Sequence, residues 1–526
     1  MGGGPAVTTG TINNETRKSG TGNYLSIVTD EADTTDPQCT SEFYNIALNV
    51  FDRLTEIRAL DDGTSEIVPS LAKSWTVSDD GLTYSFHLQE NVKFSNGENL
   101  TASDVLYTFT RLLTYPDSCN QDIAEPILGA RDLMIGEADT LAGFRLNGDY
   151  DFTITLEQPY AAFLAGLSTP GASILDETTT AAAGSQFGLD PALTIGTGPF
   201  IFREWQRGVG MVLEANRGCW SGAPKAAGLN MVIVPDSEAQ RLMFENGELD
   251  ILDLDTMGPD AEYFVHGDLY QNRLVQGPRV GISYIALNQS IPPLDQLEVR
   301  RAMQLSLDRQ TLLNAVYSGR GQVENGIFPH GLIGFNPSLP QIPYDLEEAK
   351  RLLAEAGYPD GISVEFALPA SSTAQMREQV TLIVSMWEKA GIHASVAEMS
   401  DEDFMARRKS GGLTCYTSTW SADFNDPDNF IHTFFGTAGN TLSRSLCLAD
   451  ETLIQRVHDA RAIVDEGERI REYQALEKEI IQEQASWVPL FSKQHLFVVQ
   501  EGVTGFKVAW NGWSNTCYRD VAVEKK

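Results

Sequence analysis

"KAAGLNMVIVPDSEAQRLMFENGELDIL", residues 225–252, reads as a strand, a helix and a second strand in close succession. Val232, Ile233 and Val234 make the continuous apolar run of a strand buried on both faces. Asp236 or Ser237 is placed to cap a helix that carries Leu242 and Met243, because a short oxygen-bearing side chain there accepts an amide N–H left free in the first turn. The β-α-β order points to an α/β layer. After Gly277-Pro278 the pattern begins again with "GISYIALN" (281–288), a helix from about Leu297 to Ser318, another at Leu346–Ala356 and a strand "ISVEFALP" (362–369). A helix at about Ala374–Ala390 and a strand "GIHASVAEM" (391–399) follow, then a helix over roughly Asp450 to Gln484 and a return to strand in "WVPLFSKQHLFVVQEGVTGF" (487–506). Two α/β lobes are therefore expected. The length of 526 residues agrees, since single cores stop growing at roughly 250–300.

Ahead of both lobes lies "LAKSWTVSDDGLTYSFHLQENVKFSNGENLTASDVLYTFTRLL" (71–113). Trp75 and Val77 alternate with polar neighbours up to an Asp80-Gly81 turn, and Leu82, Tyr84, Phe86 and Leu88 alternate after it, the signal of a β-hairpin with one buried face. Thr101 with Asp104 three residues on is a capping-box variant opening a helix that carries Val105, Leu106 and Phe109.

Composition removes several classes of function. The 72 acidic and 38 basic residues leave a net charge of -34, with no basic stretch to neutralise phosphates, so nucleic-acid binding is not expected. No run of 18 apolar residues offers a membrane span; the longest uncharged stretch, 160–175, is broken by Ser168, Thr169, Pro170 and Gly171. Residues 1–22, opening "MGGGPAVTTG", lack the parts of a signal peptide and read as a flexible leader, so an exported form would already have lost its signal. The six cysteines form no CxxC and no Cys/His cluster, which argues against zinc or iron–sulfur, and their spacing leaves disulfide pairing open. The seven histidines form no HExxH, and neither GxSxG nor GxxxxGK[ST] occurs; an enzyme is not expected, with a hydrolase or peptidase as the reading from another class.

One segment concentrates unusual chemistry. "TWSADFNDPDNF" (419–430) sets Asp423, Asp426 and Asp428 among Trp420, Phe424 and Phe430. It is not a calcium loop, because counted from Asp423 the fifth position is Pro427 and the sixth is Asp428 rather than Gly. Pro427 suits the first turn of a helix, so Asp426 reads as its N-cap and Asp428 as a complement to the helix dipole, both structural. Asp423 has no such explanation.

Five stretches in order, "PSLAKSWTVSDDGLTYSFHLQENVKFSNGENLTASDVLYTFTRLL" (69–113), "GTGPFIFREW" (196–205), "ALNQSIPPLDQLEVRRAMQLSLDRQTLLNAVYSGRG" (286–321), "YDLEEAKRLLAEAGYPDG" (344–361) and "WSADFNDPDNF" (420–430), together resemble one family. It is the extracellular solute-binding proteins of ABC importers, family 5, the peptide/nickel/oligopeptide group. The resemblance spans nearly the whole chain. It implies a large, type II periplasmic-binding-protein-like α/β fold of two lobes, with an extra subdomain in the first. Lobe I would run over 23–277 with the subdomain at about 47–194, lobe II over 278–491, and 492–526 would return to lobe I, with hinges near Gly277-Pro278 and Phe491.

The resemblance further implies an extracytoplasmic monomer, periplasmic or lipid-anchored at the cell surface. Such a protein captures a small peptide or related amine-bearing solute and delivers it to a membrane permease, without cofactor, resident metal or catalysis. Nickel-chelate, oligosaccharide and opine binders share the fold. In peptide-binding members an Asp at the position of Asp423 pairs with the ligand's α-ammonium, and Trp420 and Phe424 would lower the dielectric around that pair. Ser421 and Ala422 complete this wall. Gly281, Ser283 and Tyr284, just after the first crossing, are candidates for ligand contact, as are Cys39, Thr40, Ser41 and Glu42 on the first-lobe loop. His432 lies where nickel-binding members use a His, although a partly exposed helix His is the plainer reading. The arginines that hold a small peptide's carboxylate in the family are missing, since Thr417 and "PASST" (369–373) stand in those places.

Overall fold

A computed structural model describes residues 23–41, 43–60, 65–513 and 515–524; the leader expected at 1–22 and Glu42 lie outside the described residues. The strand–helix–strand of 225–252 folds as Gly228–Ile233, Ser237–Glu245 and Ile251–Asp253. Asp236 is the cap, its carboxylate accepting the Ala239 N–H at 2.7 Å. Tyr24–Thr29 inserts between the two strands and runs parallel to both, so a segment far away in sequence completes the layer. It takes the central place, which leaves Val232 and Ile233 half-buried rather than enclosed on both faces, and Val234 beyond the strand end.

The same sheet continues into the second half of the chain through one long strand, Trp487–Val499. Its C-terminal part pairs with Ile251–Asp253 and with Leu274–Pro278, down to Gln494 opposite Pro278. Its N-terminal part pairs with Gly281–Leu287 and with Gly321–Val323, up to Lys493 opposite Gly321. The ladder changes partners between Lys493 and Gln494. Beyond Gly281–Leu287 come Cys415–Ser421, Ile362–Pro369 and Ile392–Met399, giving a ladder of 12 strands. Every residue of Gly281–Leu287 is buried, with Ile282, Tyr284 and Ala286 in one core and Ile285 and Leu287 in another, as a two-residue side-chain period requires.

The hairpin region builds its own core from residues between Leu54 and Ile174, under a sheet of four strands. The expected turn joins Ala72–Val77 to Thr83–Leu88, and the Asp104 carboxylate accepts the Thr101 N–H at 2.8 Å. Tyr84 and Phe86 are buried there, whereas Val77, on the edge strand, is exposed.

Two helices expected as continuous are broken. Leu297–Leu305 is followed by a separate Arg309–Tyr317, which starts where the Asp308 carboxylate accepts the Thr311 N–H at 3.0 Å. Likewise Glu451–Ala460 ends before Glu466–Lys478, which Asp465 caps through the Glu468 N–H at 2.7 Å. In both places apolar spacing carries on through the break, so only the capping Asp marks it.

A buried acid in the helix Glu466–Lys478 supports a pH prediction. Glu477 is 1% exposed; Oε1 accepts the N–H groups of Ile327 and Phe328 at 2.7 and 2.8 Å, while Oε2 has no partner. It lines a cavity of about 230 Å³ together with Glu324, His330 and Phe335. Burial pushes its carboxyl up to about 8, with the Glu324 charge adding to the push against the two amide hydrogen bonds. The unfolded chain ionises this group from about 4.5, the folded chain only near 8, so stability is lost as pH rises between those values. Urea unfolding across this window is expected to show a loss on the order of a few kcal/mol, absent in Glu477→Gln. An equal slope in both proteins would refute the assignment.

Candidate functional site

Strand Cys415–Ser421 lies against Gly281–Leu287 along its whole length, and its exit carries the aromatic–acidic segment. Gly281 sits opposite Ser421, where an added Cβ would stand 2.7 Å from the Trp420 carbonyl oxygen and 3.0 Å from Ser421 Oγ. Only glycine fits that approach. Ala422 is fully buried, its N–H donating to Val280 O at 2.8 Å and its carbonyl accepting Asn511 Nδ2 at 3.0 Å. These bonds hold the chain rigidly just before Asp423.

Asp423 and Asn429 bind each other. The Asp423 N–H donates to Asn429 Oδ1 at 3.0 Å, and Asn429 Nδ2 donates to Asp423 Oδ2 at 3.0 Å. Asn429 stands in the first turn of the helix Asp428–Phe435, and its carbonyl also accepts the Trp420 indole N–H at 3.0 Å. The helix thus sets the orientation of both the acid and the ring. No described residue hydrogen-bonds Asp423 Oδ1. Burial pushes the Asp423 carboxyl up to about 6, with Asn429 and Arg444 working against the push and Asp122 adding to it. Phe424, half-buried, follows with its carbonyl on the Asp426 N–H.

Asp122 belongs to the Leu54–Ile174 unit, and its charge adds to the rise at the Asp423 carboxyl. The turn that carries it is tied to the first-lobe loop, because Asn120 Nδ2 donates to the carbonyls of Thr40, at 2.9 Å, and Pro37, at 3.2 Å. Cys39 is half-buried with Sγ 3.3 Å from Asp36 Oδ2, Thr40 Oγ1 accepts the Phe43 N–H, and Ser41 is exposed. Cys39, Thr40 and Ser41 are thus tied to the turn that carries Asp122. Ser283 and Tyr284 are placed differently: Ser283 Oγ is 3.0 Å from Thr419 Oγ1 inside the sheet, and Tyr284 stacks on Trp487 with ring centroids 4.4 Å apart.

Arg444 is a neighbour that sequence spacing did not indicate. Its guanidinium lies over the rings of Trp420 and Phe434, 5.0 and 4.5 Å from their centroids, and Nε donates to Thr433 O at 3.0 Å. Burial lowers its pKa, which marks a cation held away from full hydration. Thr417, by contrast, is committed to the sheet, donating to Tyr284 O and accepting from Gln379, each at 3.1 Å.

The other two acids of the segment are structural, with one change from the expected capping. Pro427 is the N-cap; Asp426 Oδ1 accepts the Asp428 N–H at 2.9 Å, and both its oxygens accept from Arg469 at 2.7 and 2.8 Å. Asp428 accepts from Tyr473 and, from the Leu54–Ile174 unit, Tyr160, at 3.0 and 3.1 Å, with Arg461 3.1 Å away. His432 stands beside Arg461, and burial first, then the Arg461 and His458 charges, push its pKa down to about 3. Among the described residues one trio could meet at a metal, Asp253, Asp255 and His495. It lies at the partner change of the long strand, where His495 Nε2 is 2.7 Å from Asp253 and Arg279 is 3.7 Å from Asp255. Cations of the chain already face these acids.

The sequence profile described as bacterial extracellular solute-binding proteins, family 5 (middle region), matches residues 66–441, more than two thirds of the chain. The chain belongs to that family. Similar family 5 proteins include heme-binding protein A of Haemophilus influenzae, 29% identical over 462 residues, 84% of this chain and 81% of that one. The dipeptide-binding protein of Escherichia coli is 28% identical over 444 residues, covering 81% and 80%. Among solved structures, HbpA2 from Haemophilus parasuis superposes with a TM-score of 0.78 at 27% identity, over 95% of this chain and 100% of that one. NikA from Brucella suis, solved with Fe(III)-EDTA, shares the fold at a TM-score of 0.82 and 22% identity, over 95% and 100%. The two-lobed family 5 fold is thus shared by proteins whose names point to different solutes.

Proposed function

We propose that this chain is the extracytoplasmic solute-binding protein of an ABC importer, capturing peptides or a related amine-bearing solute and delivering them to a membrane permease. It works as a monomer, periplasmic or lipid-anchored, and performs no reaction. The lobes are those outlined from the sequence: 23–277 with a subdomain at about 47–194, then 278–491, then a return over 492–526. The partner change between Lys493 and Gln494 supports a hinge there, since a strand shared by two ladders is where two bodies can pivot.

The observation that carries the reading is the Asp423 carboxylate. One oxygen is held by Asn429, the other meets no described donor, and the residue is half-buried. Such a carboxylate is costly alone and strongly favourable with a desolvated ammonium. Arg444, stacked on the same Trp420, supplies the cation for a ligand carboxylate that the family's usual positions lack here. Together they suit a zwitterion, amine toward Asp423 and carboxylate toward Arg444.

Titration calorimetry with dipeptides across pH tests this. Asp423 must be ionised and the ligand amine protonated, so affinity should peak between about 6, the Asp423 value, and about 8, where an α-amine deprotonates. Below the peak it should fall about tenfold per pH unit. Affinity that stays level from neutral pH down to pH about 5 would remove Asp423 from the ligand.

A further inference from the structure

The loop carrying Cys39 and the turn bearing Asp122 are joined by several hydrogen bonds, and each segment carries a cysteine. The Cys119 N–H donates to Gln38 O at 2.9 Å, and this carbonyl immediately precedes Cys39. One N–Cα bond, that hydrogen bond and one peptide unit separate the two α-carbons, which holds them inside about 7 Å, the reach of a disulfide. Cys119 Sγ lies 3.6 Å from the same Gln38 carbonyl. The thiols also sense each other: burial raises the Cys39 pKa, and the nearby Asp36 and Cys119 charges add to it. Both are thiols in this structure, Cys119 exposed and Cys39 half-buried.

We propose that Cys39 and Cys119 form a disulfide in the mature protein, stapling the first-lobe loop to the subdomain turn that carries Asp122. The proposal rests on the extracytoplasmic reading above, because that compartment supplies the oxidant, a protein or small-molecule disulfide. The exposed Cys119, as thiolate, attacks one sulfur of the oxidant and releases the other as a thiol. Cys39 then gives up its proton to water and attacks the Cys119 sulfur of the mixed disulfide. The new S–S bond forms, and the oxidant leaves with two electrons and two protons as a pair of thiols. The remaining four cysteines take no part.

The test is non-reducing peptide mapping of the full chain after incubation with oxidised glutathione and alkylation of free thiols. A cross-linked peptide pair containing Cys39 and Cys119, lighter by two hydrogens, is expected, with free thiols falling from six to four. Reduction should lower the melting temperature of the wild type by several degrees and leave Cys119→Ser unmoved. Full alkylation of both cysteines after oxidation, or either one bonded to a different cysteine, overturns the proposal, and the wild type alone decides this if the variant does not fold. A bond that forms with glutathione but is missing from protein recovered from its native compartment overturns the export reading instead of the geometry.

Discussion

Asp423→Asn is expected to weaken binding of a peptide with a free amine by at least about thirtyfold, on the order of 2–5 kcal/mol, while leaving the fold intact. The fold survives because an Asn carbonyl accepts from Asn429 Nδ2 as the carboxylate does, and the Asp423 N–H keeps its bond to Asn429 Oδ1. Only the charge is lost. N-acetylating the peptide removes the other half of the pair, so it should cost the wild type a similar amount and the variant little more. Isothermal titration of both proteins with both peptides closes the cycle. Additive losses would mean that the carboxylate and the amine do not meet, and the proposed orientation of the ligand would fall with them.

The second large effect concerns stability. Asp426→Ala removes both acceptors of Arg469, a side chain 6% exposed, and leaves a buried guanidinium unpaired. A loss of about 3–5 kcal/mol is expected in urea unfolding followed by tryptophan fluorescence. Asp426→Asn should fall between wild type and Ala, because it restores a hydrogen-bond acceptor but not the charge. Replacing Asp426 and Arg469 together by apolar residues should recover most of the loss, since a buried ion pair is worth little over well-packed neutral groups. A midpoint for Asp426→Ala equal to wild type would show that Arg469 finds another partner. In ligand binding, Asp426→Asn should stay close to wild type, which separates this acid from Asp423.

These two acids, three residues apart, show how far local reading reaches. Capping chemistry recognised that Asp426 was structural, because Pro427 begins a helix whatever surrounds it. It missed Arg469, because a partner that arrives from a later helix leaves no trace at short spacing. The same holds for Arg444 over Trp420 and for the Asp122 charge that acts on Asp423, each delivered by a different part of the chain. Helix ends divided in the same way: the breaks before Arg309 and Glu466 are announced only by Asp308 and Asp465, which an apolar period reads through.

What the sequence by itself determined is what backbone periodicity and local hydrogen bonding control. It contained the strands and helices of two α/β lobes, the hairpin of the added unit, the caps at Asp236 and Asp104, and the segment that carries Asp423. The tertiary structure alone decided which distant pieces lie side by side: Tyr24–Thr29 between two strands of a later motif, and Trp487–Val499 shared by both ladders. It also decided the electrostatics of the site. A carboxyl group has an ordinary acidity on its own chain, and the rise at Asp423 exists only because folding strips its water and adds the Asp122 charge, against the opposing pull of Asn429 and Arg444.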